Sequence, residues 1–158
     1  MAQVWLPHPV HVWIPGTPVG TDANGEKFEV AGDNSVTLSE SECEELQPVR
    51  DDQKKGVDDI CTLSAVNEGA LLHTVRVRYL AEIIYTRVAD VVIAVNPFKP
   101  LPIYDSATIE KYMSSSSGSE LPPHIFRIGQ DALQGLRRST RNQAVLISGE
   151  SGAGKTES

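Results

Sequence analysis

A glycine-rich segment near residue 150 carries residue types at a spacing suited to binding phosphate groups. It reads Gly149-Glu150-Ser151-Gly152-Ala153-Gly154-Lys155-Thr156 and fits the pattern G-x-x-x-x-G-K-[ST]. Glycines let successive backbone N–H groups curl around a phosphate without Cβ clashes. Lys155 is expected to reach the β- and γ-phosphates, and the Thr156 hydroxyl to ligate Mg²⁺. We call residues 149–156 the glycine-rich loop.

The residues just before the glycine-rich loop supply the strand that such a loop should follow. Ala144-Val145-Leu146-Ile147 is a short apolar run, and Ser148-Gly149 ends it. A chance match to the four fixed positions has a probability of about one per cent in a chain of this length. The motif indicates a nucleoside triphosphatase or a kinase and does not decide between them.

The first 50 residues have the pattern of a small antiparallel barrel or sheet. Asn24-Gly25 signals a two-residue hairpin turn, because both residues tolerate positive φ. Apolar and polar residues alternate over 28–30, which indicates one buried and one exposed face. Trp5, Trp13 and Phe28 are large enough to anchor the core.

A polar segment, 51–60, is interpreted as a linker to a second part, 61–158, in which helices and strands are mixed. Asn67 is a good helix N-cap, and Leu71, Val75 and Tyr79 then share one helical face. The pattern predicts helices over 67–80, 105–113 and 125–138, and strands over 83–85, 91–95 and 143–147. The strand at 91–95 is apolar throughout, as expected when both faces are covered.

Composition excludes several classes of protein. The 158 residues carry a formal charge of −7, with 12 acidic against 4 basic residues over 1–60 and 9 against 10 over 61–158. This balance argues against a nucleic-acid binder, which shows a strongly basic face. The two cysteines form no CxxC pair, which argues against a disulfide scaffold or a zinc site. No apolar run is long enough for a membrane span, and the N-terminus lacks the basic start of a secretory signal.

The residues around the motif resemble those of one family. The run 148–157 is similar to the phosphate loop of the myosin motor family, whereas kinesins normally carry Gln-Thr in place of Glu150-Ser151. Residues 96–104, Asn-Pro-Phe-Lys-Pro-Leu-Pro-Ile-Tyr, resemble the family's adenine-binding loop. We call 96–104 the proline-rich loop. Similar stretches occur in the family's order at 4–5, 12–16, 67–86, 122–126 and 142–143.

The resemblance implies a small all-β SH3-like barrel over 1–50, followed by the beginning of an α/β P-loop NTPase motor domain. It implies a part of an actin-based motor that binds and hydrolyses ATP with Mg²⁺. The residues it assigns to the nucleotide are Gly149, Glu150, Ser151, Gly152, Ala153, Gly154, Lys155 and Thr156 for phosphate, with Thr156 also on the metal, and Asn96, Pro97, Lys99 and Tyr104 for adenine. Further implications are actin filaments as a partner, light chains or calmodulin in the full-length protein, and a cytoplasmic, cytoskeletal location.

The adenine assignment is physically reasonable. Pro97, Pro100 and Pro102 stiffen an extended loop. Asn96 and Tyr104 can then bracket a flat base with an amide and a ring edge. The alternative is a proline-rich surface connection in which Tyr104 is half buried.

The sequence also departs from the family pattern. Ala89 stands where the family usually has a turn glycine, Gly129-Gln130 replaces the usual Ala-Asp, and Leu133 replaces the usual Tyr. In the family, the two switch segments, the actin-binding surface, the converter and the lever arm follow the phosphate loop. Because the sequence stops at Ser158, we expect a truncated chain that is inactive alone, with no catalytic residue of its own.

Two other functions stay open at this point. One is a non-motor P-loop enzyme, such as a small kinase, which needs its own strand order and a lid. The other is an interaction module, in which the barrel binds a partner and the rest is an inert remnant. Sequence beyond Thr156 distinguishes the first from a motor, and expression of 1–50 alone tests the second.

Overall fold

The computed structural model describes residues 2–32, 35–115 and 121–156. The strands there are β1 (Val4–His8), β2 (Val12–Asp22), β3 (Gly25–Val30), β4 (Val36–Leu38), β5 (Gln47–Pro48), β6 (Tyr85–Val88) and β7 (Val91–Ala94). The helices are α1 (Glu40–Cys43), α2 (Glu68–Leu80), α3 (Ser106–Met113) and α4 (Ile125–Ser139), with 3₁₀ turns at Asp51–Lys54 and Ile60–Thr62. None of these helices is long and apolar enough to cross a bilayer.

The contacts within the chain define two compact units, Met1–Val77 and Arg78–Ser158. This division lies further along the chain than the linker interpreted at 51–60. The first unit contains the sheet of β1 to β5. The second contains the β6–β7 hairpin, α3, α4 and both candidate nucleotide loops.

The first unit is built on an antiparallel five-stranded sheet in the order β4-β3-β2-β1-β5. One face of the sheet carries the apolar core, which consists of Leu6, Ile14, Phe28, Val30 and Leu38. The predicted antiparallel sheet is therefore confirmed, and it is compatible with an SH3-like region. Phe28 anchors the core as expected, whereas Trp13 is only half buried.

The β2–β3 hairpin forms where the sequence predicted it, but the turn lies one residue earlier. Asp22 pairs with Gly25, so the two turn residues are Ala23 and Asn24, and neither has positive φ. The Asp22 carboxylate accepts the Asn24 N–H at 2.7 Å, which stabilises this turn. Gly25, at φ 143°, passes so close to Leu38 that a Cβ would lie 2.0 Å from its carbonyl oxygen.

Trp5 lies on the opposite side of β1 from Leu6 and is covered by residues beyond the sheet. Its indole Nε1 donates to the side-chain oxygen of Gln53 at 3.1 Å, and the Gln53 amide donates to the Ala65 carbonyl at 2.9 Å. Gly69 lies so close that a Cβ there would be 2.7 Å from the Trp5 ring. The polar segment 51–60 therefore packs against β1, a contact that its composition did not predict.

Helix α2 confirms the helix predicted at 67–80, and the Asn67 side chain caps it by accepting the Ala70 N–H at 2.8 Å. The helical face of Leu71, Val75 and Tyr79 is not the buried one, since the first two are intermediate in exposure and Tyr79 is exposed. The buried stripe is Ala70, Thr74 and Arg78, spaced by four residues. The close approach of the helix to Trp5 is made at Gly69, where a Cβ would lie 2.7 Å from the ring.

In the second unit, β6 and β7 form an antiparallel hairpin, and α3 packs against α4. The Gln130 amide on α4 donates to the carbonyl of Met113 at the end of α3 at 2.9 Å. Burial of both faces of 91–95 was a wrong prediction, because Val91 is 64% exposed. Within the described residues, β7 pairs only with β6, so its other edge has no hydrogen-bonded strand.

The strand predicted at 143–147 is not formed, which corrects that expectation. These residues have no regular structure, and Leu146 is 92% exposed. A strand needs a hydrogen-bonded neighbour, and the sheets of the described residues offer none to this segment. Instead Gln143 folds against Gly135 of α4, where a Cβ would meet its side-chain oxygen at 2.6 Å. The serine-rich run 114–119, whose composition predicts a surface loop, lies outside the described residues beyond Ser115.

Candidate functional site

The glycine-rich loop closes on itself through Lys155. The Lys155 ammonium donates hydrogen bonds to the carbonyl oxygens of Gly149 and Glu150, each at 2.8 Å. Both ends of the loop are thus joined by one cationic side chain. That cation is exposed and available to an anion entering the loop.

Two glycines give the loop its curvature. Gly152 has φ 80° and Gly154 has φ 94°, values that a residue with a Cβ adopts only with strain. The Ala153 N–H donates to the Glu150 carbonyl at 3.2 Å, which tightens the turn between them. The pattern of glycines read from the sequence therefore matches the backbone that the loop adopts.

The predicted magnesium ligand is a single hydroxyl group, that of Thr156. Thr156 follows Lys155 and is exposed. Among residues 2–32, 35–115 and 121–156, no group of three or more His, Cys, Asp or Glu side chains is placed to hold a metal ion. Mg²⁺ keeps several waters and binds through few protein ligands plus substrate phosphates. A single hydroxyl such as that of Thr156 is compatible with this mode of binding.

Asn96, the first residue of the proline-rich loop, lies against the glycine-rich loop. A Cβ on Gly154 would be 3.4 Å from the Asn96 side-chain nitrogen. The other end of that amide is fixed, because its oxygen accepts the Phe98 N–H at 2.9 Å. The structure therefore brings one of the four residues assigned to adenine next to the residues assigned to phosphate.

Pro97 and Lys99 line a small open cleft in the second unit. The cleft has a volume of about 200 Å³ and is bounded also by Tyr79, Leu80, Glu82, Ile84 and Leu101. The Lys99 ammonium forms an ion pair with the Glu82 carboxylate. Glu82 was not singled out from the sequence, since a lone glutamate after a helix carries no recognisable signal.

Tyr104 lies outside that cleft, in a group of rings. Its hydroxyl is 2.8 Å from that of Tyr85, and its ring centroid is 5.7 Å from His124 and 6.1 Å from Phe126. Tyr104 is 47% exposed, as the alternative interpretation of the proline-rich loop expected. Burial, together with the Tyr104 hydroxyl, raises the pKa of the Tyr85 phenol far above its usual value.

His124 is the residue of this region that sequence reasoning missed. It is one of four histidines that show no metal-ligand spacing in the sequence, yet it caps α4 and is 5% exposed. Burial lowers the pKa of its imidazole below the ordinary value of 6.5. The signal that could have found it is its place, directly before the helix that begins at Ile125.

One family model and several known proteins match most of this chain. The family model for the myosin head (motor domain) matches residues 57–158. Unconventional myosin-VI of Bos taurus is 39% identical over 155 residues, which cover 98% of this chain and 12% of that protein. The high molecular weight form of myosin-1 of Acanthamoeba castellanii is 36% identical, over 98% of this chain and 10% of its own length. Unconventional myosin-Va of Gallus gallus is 37% identical over 164 residues, which cover 99% and 9%. The chain thus spans 12% or less of these relatives.

Proposed function

This chain belongs to the myosin head (motor domain) family, and on that premise we propose that it forms the nucleotide-binding start of an actin-based motor ATPase. The observation that carries the proposal is the glycine-rich loop, in which a lysine spans two carbonyls and two glycines adopt positive φ. The family match replaces the kinase alternative, because it covers the loop and the residues leading to it.

In this proposal the glycine-rich loop holds the triphosphate. The Lys155 ammonium exchanges its bonds to Gly149 and Glu150 for oxygens of the β- and γ-phosphates, where a full negative charge makes a stronger partner. Backbone N–H groups around Gly152 and Gly154 face the phosphate chain. Thr156 holds Mg²⁺, which neutralises charge on the phosphates when it is bound.

The proline-rich loop holds the base. Asn96 lies beside Gly154, so an amide is within reach of a nucleotide whose phosphates occupy the glycine-rich loop. Pro97 and Lys99 offer a stiff edge and a cation, and Tyr104 offers a ring of which nearly half is exposed. We propose that these four residues contact adenine.

Residues 1–158 on their own should bind Mg-ATP weakly and should not turn it over. Phosphoryl transfer depends on positioning an attacking water and stabilising charge. In the described residues the loop is exposed, and the segment before it, 143–147, is not held in a sheet. A loop without a fixed scaffold loses the preorganisation on which such catalysis depends.

The remaining parts of the proposal follow from the family. We propose that residues 1–50 are an SH3-like barrel, that 51–60 join it to the motor part, and that 61–158 begin the motor domain. The start of the family match at residue 57 supports this division. We also propose that the whole protein works in the cytoplasm on actin filaments and, at full length, with light chains or calmodulin.

A ligand titration followed by NMR tests the site. Adding Mg-ATP to the ¹⁵N-labelled protein should shift amide signals of 149–156 and 96–104. Lys155→Ala should remove these shifts, whereas Lys27→Ala, which removes an exposed lysine of β3, should leave them unchanged. Shifts confined to other residues, or equal shifts in all three proteins, would contradict the proposal.

A further inference from the structure

His124 lies at the centre of a group of aromatic rings, which we call the ring cluster. Its centroid is 4.6 Å from that of Phe126, 4.9 Å from Tyr85 and 5.0 Å from Tyr112. The fifth ring is Tyr104, one of the residues proposed to contact adenine. The cluster therefore joins β6, the proline-rich loop, α3 and the beginning of α4.

Both ring nitrogens of His124 form hydrogen bonds, one as the acceptor and the other as the donor. Nδ1 accepts the backbone N–H of Phe126 at 3.1 Å. Nε2 lies 3.0 Å from the carbonyl oxygen of Ile103, which can only accept, so Nε2 carries the proton. These two bonds require the neutral ring with hydrogen on Nε2.

The bond to Ile103 acts on the neighbouring Tyr104. Ile103 and Tyr104 are consecutive, so the imidazole fixes the backbone from which the Tyr104 ring projects. The Tyr85 hydroxyl holds the other end of that side chain at 2.8 Å. The residue is therefore restrained at both ends, at its backbone by the bond to Ile103 and at its hydroxyl by the bond to Tyr85.

We propose that His124 is a positioning residue for nucleotide recognition: through the Ile103 carbonyl it orients Tyr104 toward the purine base of ATP. This inference rests on the proposed function. It assigns to His124 no contact with phosphate, metal or base. Its effect is therefore on recognition of the base and not on recognition of the triphosphate.

The rings that face His124 from other elements carry no formal charge. From β6, the proline-rich loop and α3 they are the phenols of Tyr85, Tyr104 and Tyr112. On α4 the nearest charged side chain in sequence is Arg127, whose guanidinium is paired with Asp131 at 2.9 Å. Burial lowers the pKa of the His124 imidazole, and the hydrogen bond to the Ile103 carbonyl offsets part of that shift.

The substitution His124→Asn keeps one hydrogen bond of the imidazole and removes the other. Asparagine is a good N-cap whose oxygen can still accept the Phe126 N–H, but it is too short to reach Ile103. We expect α4 to persist, ATP affinity to fall about tenfold, which corresponds to about one hydrogen bond, and affinity for inorganic tripolyphosphate to stay unchanged. His73→Asn, which changes a histidine of α2, serves as the matched control and should alter neither affinity.

A double-mutant cycle tests whether His124 acts through Tyr104. In a Tyr104→Ala background, His124→Asn should cause no further loss of ATP affinity, because the side chain that it positions is gone. Additive losses would overturn the proposal. So would equal weakening of ATP and tripolyphosphate by His124→Asn, or no effect on either.

The proposed function and this inference fail in different ways. If the unaltered protein binds neither ATP nor tripolyphosphate, the proposed nucleotide site is wrong. Nuclear Overhauser contacts between the Tyr104 and Phe126 rings in the ligand-free protein then decide the positioning role. Their loss in His124→Asn would support it, and their persistence would overturn it.

Discussion

Gly154 lies directly against Asn96, with 3.4 Å between the Asn96 side-chain nitrogen and the position a Cβ would take on the glycine. The two residues are 58 positions apart in the sequence and belong to the two loops assigned to phosphate and adenine. Because these residues are in contact, a change in the shape of one loop alters the position of the other.

Gly154→Ala should therefore impair nucleotide binding. The backbone at φ 94° is strained for any residue with a Cβ, at a cost of about 1–2 kcal/mol, and the added methyl group lies in van der Waals contact with Asn96. We expect Mg-ATP affinity to fall about tenfold, measured by isothermal titration calorimetry. Gly129→Ala is the matched control, since a Cβ on this α4 glycine meets no atom within 4 Å. Equal effects of the two substitutions would contradict the account.

Gln53→Ala should destabilise the first unit. It leaves the buried Trp5 Nε1 and the carbonyl of Ala65 without their partner, and an unsatisfied buried polar group costs about 1–3 kcal/mol. We expect the free energy of unfolding, measured with urea, to fall by about 3 kcal/mol. Gln47→Ala, at an exposed position of β5, should change it little. A loss no larger than that of Gln47→Ala would show that Gln53 does not hold Trp5.

Ala89→Gly should stabilise the β6–β7 hairpin. Ala89 is the first of two turn residues between Val88 and Val91 and has φ 51°, where glycine avoids strain of about 1–2 kcal/mol. The greater freedom of glycine in the unfolded chain offsets part of this gain. We expect a net gain of about 0.5–1 kcal/mol in urea unfolding. Asp90→Gly, at a residue without positive φ, should give no gain, and stabilisation there alone would contradict this assignment.

Local signals in the sequence predicted the elements that depend on local bonds. Asn67 begins α2 because its side chain caps the helix, and Asp105 begins α3 by accepting the Thr108 N–H at 2.7 Å. The glycine-rich loop was also recognisable, because positive φ at Gly152 and Gly154 is a property of the residues themselves.

Features that depend on distant partners were not predictable. Gln53 stands in a polar run and is buried only because Trp5 lies above it. The apolar run at 144–147 has strand composition but no neighbouring strand in the described residues. His124 gains its place from a carbonyl 21 residues away, which no local pattern encodes.

Acidification should destabilise the protein through His124. Burial lowers its folded pKa below the unfolded value of 6.5, so the unfolded state binds more protons once the pH falls below 6.5. The contribution is complete above pH 6.5 and is lost as the pH falls toward the folded pKa, by at most about 1.4 kcal/mol per pH unit. Urea unfolding at a series of pH values measures it. His124→Asn should remove this component, and an unchanged pH profile in that variant would contradict the assignment.

The measurement that tests the central claim most directly compares Mg-ATP binding and turnover by purified residues 1–158 with those of Lys155→Ala. Lys155 joins the two ends of the glycine-rich loop through its bonds to Gly149 and Glu150. We predict weak binding that depends on Lys155, and phosphate release no faster than in buffer. Rapid hydrolysis lost with Lys155→Ala would contradict the account and show a self-sufficient enzyme. Binding that is indifferent to Lys155 would show that this loop is not the phosphate site.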